Sequence, residues 1–216
     1  MAPRTHRPAP LESLRRAIDV VAAGSLLGLL SVPLLVTALI IRLESRGPAL
    51  FRQERVGRAM ETFTLYKFRT MQVGSDDRAH RALVHRHLRD DGSKPPDTVQ
   101  KLVDDPRLTR LGPSIRRWSI DEFPQLINVL RGEMTLVGPR PCLPWEAEMF
   151  TPEQQQRFSV KPGLTGLWQV SGRGGLTMKE ALDLDVEYVR RRSLWLDLRL
   201  LVKTPGALLR SRNETA

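Results

Sequence analysis

A run of 22 residues without a single charge, Val20 to Ile41 (VVAAGSLLGLLSVPLLVTALII), constrains this chain more than any other feature. As a straight helix it would be about 33 Å long, enough to cross a bilayer. A cleavable signal peptide is a poor fit, because the run is long and no small-x-small site precedes the polar sequence beyond it. Two features separate it from a plain spanning anchor. Pro33, at mid-run, has no N–H to give the carbonyl of Leu29, and its ring crowds the preceding turn. Ser31 offers a hydroxyl to a freed backbone group. Arg4, Arg7, Arg15 and Arg16 precede the run, and Arg42, Arg46, Arg52 and Arg55 follow it. A spanning helix would leave one of these clusters on the wrong side of the membrane. A helix that enters, bends at Ser31-Val32-Pro33 and returns keeps both cytoplasmic. The expectation is therefore a membrane hinge at Ser31 and Pro33, with a spanning helix as the alternative. Asp19, at the boundary, is within helical reach of Arg15 and Arg16 for pairing, and is otherwise a solvated interfacial acid.

Charge is one-sided along the chain: 34 Lys and Arg against 24 Asp and Glu give a net +10. Such a balance calls for an anionic partner, whether nucleic acid, acidic lipid headgroups or phosphorylated substrates. Arginine outnumbers lysine, which suits bidentate phosphate contacts, though codon bias alone would produce the same excess. No nucleic acid is expected as a partner, since the chain carries no helix-turn-helix pattern, RNP-like aromatics or zinc-ligand set. The single cysteine, Cys142, excludes an internal disulfide and a multi-cysteine metal site, and is expected to be a packed bystander.

Outside the apolar run, local patterns predict several short elements. Residues 1–10 hold three prolines and no periodicity, the composition of a disordered tail. Loose alternation from Ala49 to Phe68 around Gly57 predicts a small β-hairpin. A polar helix is expected over 75–89 and a loop over 90–96. His80, His85 and His87 have no metal-ligand spacing and read as a solvated helix face. Gly163 and Gly166 predict a tight loop. Thr177-x-x-Glu180 is a capping box opening a helix to about Arg192. The segment 193–202 (SLWLDLRLLV) puts Leu194, Leu198, Leu201 and Val202 on one face near Trp195. It is either an interfacial helix or a terminal helix packed on the core.

Chemistry concentrates between Ser119 and Pro141, SIDEFPQLINVLRGEMTLVGPRP. An acid pair, Asp121-Glu122, stands just ahead of the apolar helical pattern Phe123, Leu126, Ile127, Leu130. A stiff Gly138-Pro139-Arg140-Pro141 loop closes the stretch. Two local readings of the helix start stand side by side. Ser119-x-x-Glu122 forms a capping box, or Pro124 defers the helix so that Asp121 is the N-cap. Either places the Asp121 carboxylate at the positive end of a helix dipole and keeps it ionised. Capping alone would account for both acids on these residues; a carboxylate flanked by arginines also suits an anionic group and attack on phosphorus.

The same stretch, with FRQERVGR at 51–58, YKFRTM at 66–71, DDPRLTRLG at 104–112 and KPGLTGLWQVSGR at 161–173, resembles the catalytic core of the bacterial sugar transferases. These are the monotopic phosphoglycosyl transferases of glycan assembly. The motifs fall in the family's order and cover about Arg16 to Thr204. The resemblance implies an enzyme that moves sugar-1-phosphate from a UDP-sugar to undecaprenyl or another polyprenyl phosphate, with UMP released. It implies Asp121 as nucleophile, Glu122 as its partner, and Mg²⁺ bridging Asp121 and the diphosphate. Arg140, held between Pro139 and Pro141, becomes a phosphate ligand, and Lys67, Arg69, Arg116, Arg117 and Arg173 are further candidates. Trp168 is a neighbour of the nucleotide or a core residue. The family's membrane element is a helix-break-helix with a Ser-Pro pair; here Val32 separates the two. The implied fold is mixed α/β and mainly helical: a monotopic membrane protein with a re-entrant helix-break-helix, a small β-hairpin and amphipathic interfacial helices. The expected organisation is a tail at 1–15, the membrane helix at 16–46, a cytosolic domain at 47–204 and a C-terminal tail at 205–216. Location at the bacterial inner membrane, catalytic domain on the cytoplasmic face, makes membrane lipid a partner; a homodimer stays open.

Overall fold

The computed structural model describes residues 10–74, 81, 107–172 and 176–213. Along the chain run α1 (Pro10–Glu44), β1 (Leu50–Val56), β2 (Thr62–Phe68), α2 (Gly112–Arg117), α3 (Gln125–Arg131), β3 (Thr135–Val137), α4 (Pro144–Ala147), β4 (Gly163–Thr165), α5 (Leu167–Gly172), α6 (Met178–Arg191) and α7 (Leu194–Asn213). The described fold is therefore mainly helical with two small two-stranded sheets. The helix expected over 75–89, Arg81 excepted, lies outside the described residues, as do the loop at 90–96, the three histidines and Arg173.

Helix α1 is long and apolar enough to cross a bilayer, with a mean hydropathy of 2.3 in its apolar window. Its buried residues sit at its two ends, Arg15, Asp19 and Ala23 at one and Ile41 at the other. Between them the apolar surface is open: Leu29 is 77% exposed and Leu35 70%. Two expectations are corrected here. Residues 10–15 belong to the helix rather than a disordered tail. Arg15 donates to Asp197 at 2.9 Å and Arg192 to Glu12 at 2.7 Å, which ties the first turns to the end of the chain. Helical structure also runs unbroken through Pro33. A proline removes one bond of the ladder, and the remaining bonds of a long helix hold. Ser31 donates to the carbonyl of Gly28 at 2.8 Å, not to that of Leu29, which Pro33 leaves without its partner.

Asp19 fits neither sequence alternative. It is buried and accepts from the Thr135 hydroxyl at 2.8 Å and the Leu136 N–H at 2.9 Å. A buried carboxylate needs such donors, and β3 supplies them. Arg16 turns instead to the C-terminus of α3, donating to the carbonyls of Val129 and Leu130. At the other end of α1, the buried Arg69 guanidinium donates to the carbonyls of Ile41, Ser45 and Arg46. Ile41 lies in the last turn of α1 and Ser45 and Arg46 just beyond it, where a cation complements the helix dipole.

The hairpin is present as expected, with Phe51 opposite Lys67 and Arg55 opposite Phe63. Asn128 docks α3 on it: its amide donates to the Thr64 carbonyl at 2.7 Å and accepts from the Tyr66 N–H at 3.1 Å. The main core gathers Ala23, Leu65, Leu126, Val129, Met134, Leu136, Val137, Tyr188 and Leu200 from six different elements. The PGLTG glycines act otherwise than in a tight loop. Gly163–Thr165 is a strand parallel to β3, and its backbone lies against Gly138. A Cβ on Gly163 would stand 2.0 Å from the Gly138 nitrogen, and one on Gly166 would stand 2.4 Å from the Gly138 carbonyl oxygen. Only glycine allows that approach.

The capping box at Thr177 forms, with the Glu180 N–H donating to the Thr177 hydroxyl at 3.2 Å. Helix α7 divides the expected apolar face in two. Leu200 is in the core and Leu196 and Leu201 pack against it, whereas Trp195, Leu198, Val202 and Leu209 face outward. The helix continues through Pro205 to Asn213, so the segment set apart as a tail is helical that far. Cys142 is buried among Val56, Ala147, Phe150, Phe158 and Leu182, and burial pushes its thiol up to about 11.

Candidate active site

The acid pair stands on an irregular turn, and proline chemistry explains it. Pro124 has φ −59° and no N–H to donate, so it serves as the residue from which α3 starts, at Gln125. Upstream, Ser119 adopts a left-handed conformation (φ 52°), and Ile120–Glu122 form a single 3₁₀ turn. Neither expected cap is made: Ser119 forms no side-chain cap, and Asp121 lies a turn ahead of α3 rather than at its N-cap. Neighbours on a 3₁₀ turn point about 120° apart, so the two carboxylates take different surroundings.

Glu122 is the centre of a cation cluster. Its Oε1 accepts from Lys67 Nζ and from Arg140 Nη1, each at 3.3 Å, and the side chain is 13% exposed. Burial lowers the Lys67 ammonium, with Glu122 opposing and Arg140 adding to the shift; the Asp121 charge also acts on this lysine. Arg55 completes the cluster from β1, donating to the Pro141 carbonyl at 3.3 Å. Burial draws its guanidinium down to about 10, against the pull of Glu146, so it stays charged at neutral pH. A shallow cleft is lined by Arg55, Leu65, Lys67, Gln125, Arg140, Pro141, Gly163 and Leu164. Three cations and one largely neutralised carboxylate around a cleft are suited to a multiply charged phosphate.

The Arg140 loop is supported from behind. Its carbonyl accepts from Arg157, whose guanidinium pairs with Asp185 on α6 at 2.7 Å, both side chains almost wholly buried. Phe150 and Phe158 flank Arg157 with ring centroids at 5.3 and 5.7 Å. In front, Arg140 lies 6.0 Å from the centroid of Trp168. Trp168 is half-buried, so it borders the cluster rather than filling the core.

Among the sequence candidates, the fold brings together Glu122, Lys67 and Arg140, with Pro139 and Pro141 buried on either side of the arginine. Asp121 adjoins them. Arg69 is not among them, since the end of α1 holds it. Arg116 and Arg117 lie in the last turn of α2, Arg117 exposed. Ser31 and Pro33 lie on the exposed middle of α1. Two cleft residues went unassigned by sequence reasoning, Arg55 and Gln125. Both sit inside the family motifs, and Gln125 follows Pro124 directly, but nothing local marks either as facing a cleft.

Among the described residues no three His, Cys, Asp or Glu side chains cluster to form a protein cage. Mg²⁺ is commonly held by one or two carboxylates together with substrate phosphates, and Asp121, whose charge acts on Lys67, fits that arrangement.

Most of the chain is similar in sequence to known proteins. Galactosyl transferase CpsE of Streptococcus agalactiae is 41% identical over 90% of this chain and 42% of its own length. The UDP-glucose:undecaprenyl-phosphate glucose-1-phosphate transferase of Caulobacter vibrioides is 43% identical over 92% of this chain and 71% of its own. The undecaprenyl-phosphate galactose phosphotransferase of Salmonella typhimurium is 38% identical over 91% and 40% respectively. The chain thus spans about two fifths of the first and third of these relatives. Residues 11–211 match the sequence profile described as bacterial sugar transferase. That match, over nearly the whole chain and including the acid pair and its cation cluster, places the protein in the bacterial sugar transferase family.

Proposed function

We propose that this protein transfers sugar-1-phosphate from a UDP-sugar to undecaprenyl or a related polyprenyl phosphate, the first membrane step of polysaccharide assembly. The observation that carries the reading is the convergence of Lys67 and Arg140 on Glu122, one residue from Asp121. The family resemblance assigns the attack to Asp121, the first acid of the pair. A carboxylate oxygen of Asp121 forms a bond to the β-phosphorus of the donor. The bond from that phosphorus to the bridging oxygen breaks, and UMP leaves with the electron pair. The phosphate of the polyprenyl acceptor then attacks the same phosphorus, and the Asp121 carboxylate departs. Arg55, Lys67 and Arg140 offset the phosphate charge throughout. Asp121 and the diphosphate oxygens would together hold Mg²⁺, which adds charge neutralisation at the leaving group.

The reading also places the site at the cytoplasmic face of the bacterial inner membrane. Both ends of α1 pack on the same domain, Asp19 against β3 and Ile41 beside Phe68 and Ile115. Such packing supports a helix whose two ends lie on one side of the bilayer. The exposed apolar middle then enters the lipid and returns, the helix kinking at Pro33 without breaking. The exposed apolar residues of α7 rest at the interface.

Two measurements test these statements. Purified protein with Mg²⁺ and undecaprenyl phosphate should release UMP from at least one UDP-sugar, and the names of the relatives make UDP-glucose and UDP-galactose the first donors to screen. No UMP from any UDP-sugar would remove the assignment. For topology, Leu11→Cys provides an exposed thiol on α1, while native Cys142 is buried and stays protonated near neutral pH, so background labelling is low. An impermeant maleimide should label that cysteine only after cells are opened; labelling of intact spheroplasts would mean a spanning helix.

A further inference from the structure

The face of the hairpin that lines the cleft carries an exposed aromatic residue that phosphate chemistry does not use. Phe51 pairs with Lys67 across β1 and β2, so the two side chains stand on one face, with Cβ atoms about 5 Å apart. Arg55 is on that same face, and all of them look toward the cleft side of the hairpin. Unlike its neighbours, Phe51 is neither packed nor polar: its side chain is 45% exposed. Its position along the strand is equally specific. Leu50 and Phe68, the pair next to it, belong to the cluster built on Ile41 and Ala49, with Leu34 and Ala38 of α1 packed against it. Phe51 therefore lies at the end of the hairpin on which α1 packs, with its side chain on the face opposite Leu50 and Phe68. Ile120, one residue before Asp121, packs on the same cluster. Trp118, three residues before Asp121, is a second large ring, 51% exposed.

An exposed aromatic beside an ammonium group, at the junction of a lipid-facing helix and a phosphate cleft, suits a ligand that is anionic at one end and hydrocarbon beyond it. A nucleotide sugar has no hydrocarbon tail to offer such a ring. We propose that Phe51 is a specificity-determining residue for the lipid acceptor, packing the isoprene units next to the phosphate that Lys67 receives. This rests on the transferase reading above. The charge of the cluster fits the acceptor's phosphate, and the position of Phe51 at the α1 end of the hairpin fits a chain arriving from the bilayer. Trp118 flanks that approach.

The test uses full-length protein in nanodiscs, with whichever of UDP-glucose or UDP-galactose the wild type turns over. Phe51→Ala should raise the KM for undecaprenyl phosphate about tenfold, the scale expected for losing most of an aromatic-to-hydrocarbon contact. Single-turnover UMP release without acceptor should keep its wild-type rate, a split that a packing defect would not produce. Phe51→Leu, which keeps an apolar side chain, should restore most of the acceptor affinity. An unchanged acceptor KM in Phe51→Ala overturns the proposal, as does an equal loss in the acceptor-free step. Those results leave the transferase assignment intact. Absence of UMP release in the wild type removes the assignment, and this inference with it.

Discussion

Asp121→Asn should reduce turnover by at least about 10³-fold while the protein still folds and inserts. The substitution keeps the size of the side chain and removes the anionic nucleophile. Because α3 starts after Pro124 and Asp121 makes no N-cap for it, no helix cap is lost. The wild type, given UDP-sugar without acceptor, should release UMP to at most one equivalent and carry a phosphosugar ester. Intact mass and peptide mapping would locate that ester on Asp121, and Asp121→Asn should show neither burst nor adduct. An ester on Glu122 would reverse the assignment of the two acids. Strictly ternary kinetics with no adduct would instead leave Asp121 as a metal ligand in direct displacement. Glu122 has a different predicted role, since its carboxylate holds Lys67 and Arg140 in place at 3.3 Å each.

Gly163→Ala should destabilise the folded domain by about 3 kcal/mol or more, the upper range for forced overpacking. The added Cβ would stand 2.0 Å from the Gly138 nitrogen and 2.5 Å from the Thr165 carbonyl oxygen. These are backbone atoms of a paired strand and its neighbouring loop, so no side-chain rotation relieves the overlap. The same displacement would move Pro139 and Arg140, since Gly163 donates to the Pro139 carbonyl at 2.8 Å. The thermal midpoint should fall by roughly 10 °C, and activity should fall with it below that temperature. Gly24→Ala is the control: nothing lies within 4 Å of its Cβ, and alanine is the better helix former. A wild-type midpoint for Gly163→Ala would show that the close approach between the two segments is not needed.

Local sequence order was enough for the elements whose cause is local. The hairpin follows from alternation over Ala49 to Phe68, and the α6 cap from Thr177 and Glu180, three residues apart. Where a neighbour along the chain competes, local reading failed. At Ser119 the capping-box pattern lost to Pro124, which fixes the start of α3 and leaves the acid pair on a 3₁₀ turn. In α1 the proline looked like an interruption, yet helical structure passes through it. At Pro205 the helix again continues, beyond a core contact made by Leu200.

The sequence by itself determined that a charge-free helix precedes a basic domain, that Asp121 and Glu122 stand beside each other, and that Arg140 is held between two prolines. Covalent order and backbone sterics act over a few residues, so these properties need no fold. Only the tertiary structure decided which cations meet the acids, because Lys67 is 55 residues from Glu122 along the chain. It also decided that Arg69, an equal candidate by charge, closes the end of α1 instead. Asp19 is the clearest case: its partners Thr135 and Leu136 lie 116 and 117 residues away. A buried carboxylate must find donors, and only the packing of α1 on β3 determines which N–H and O–H groups are within reach.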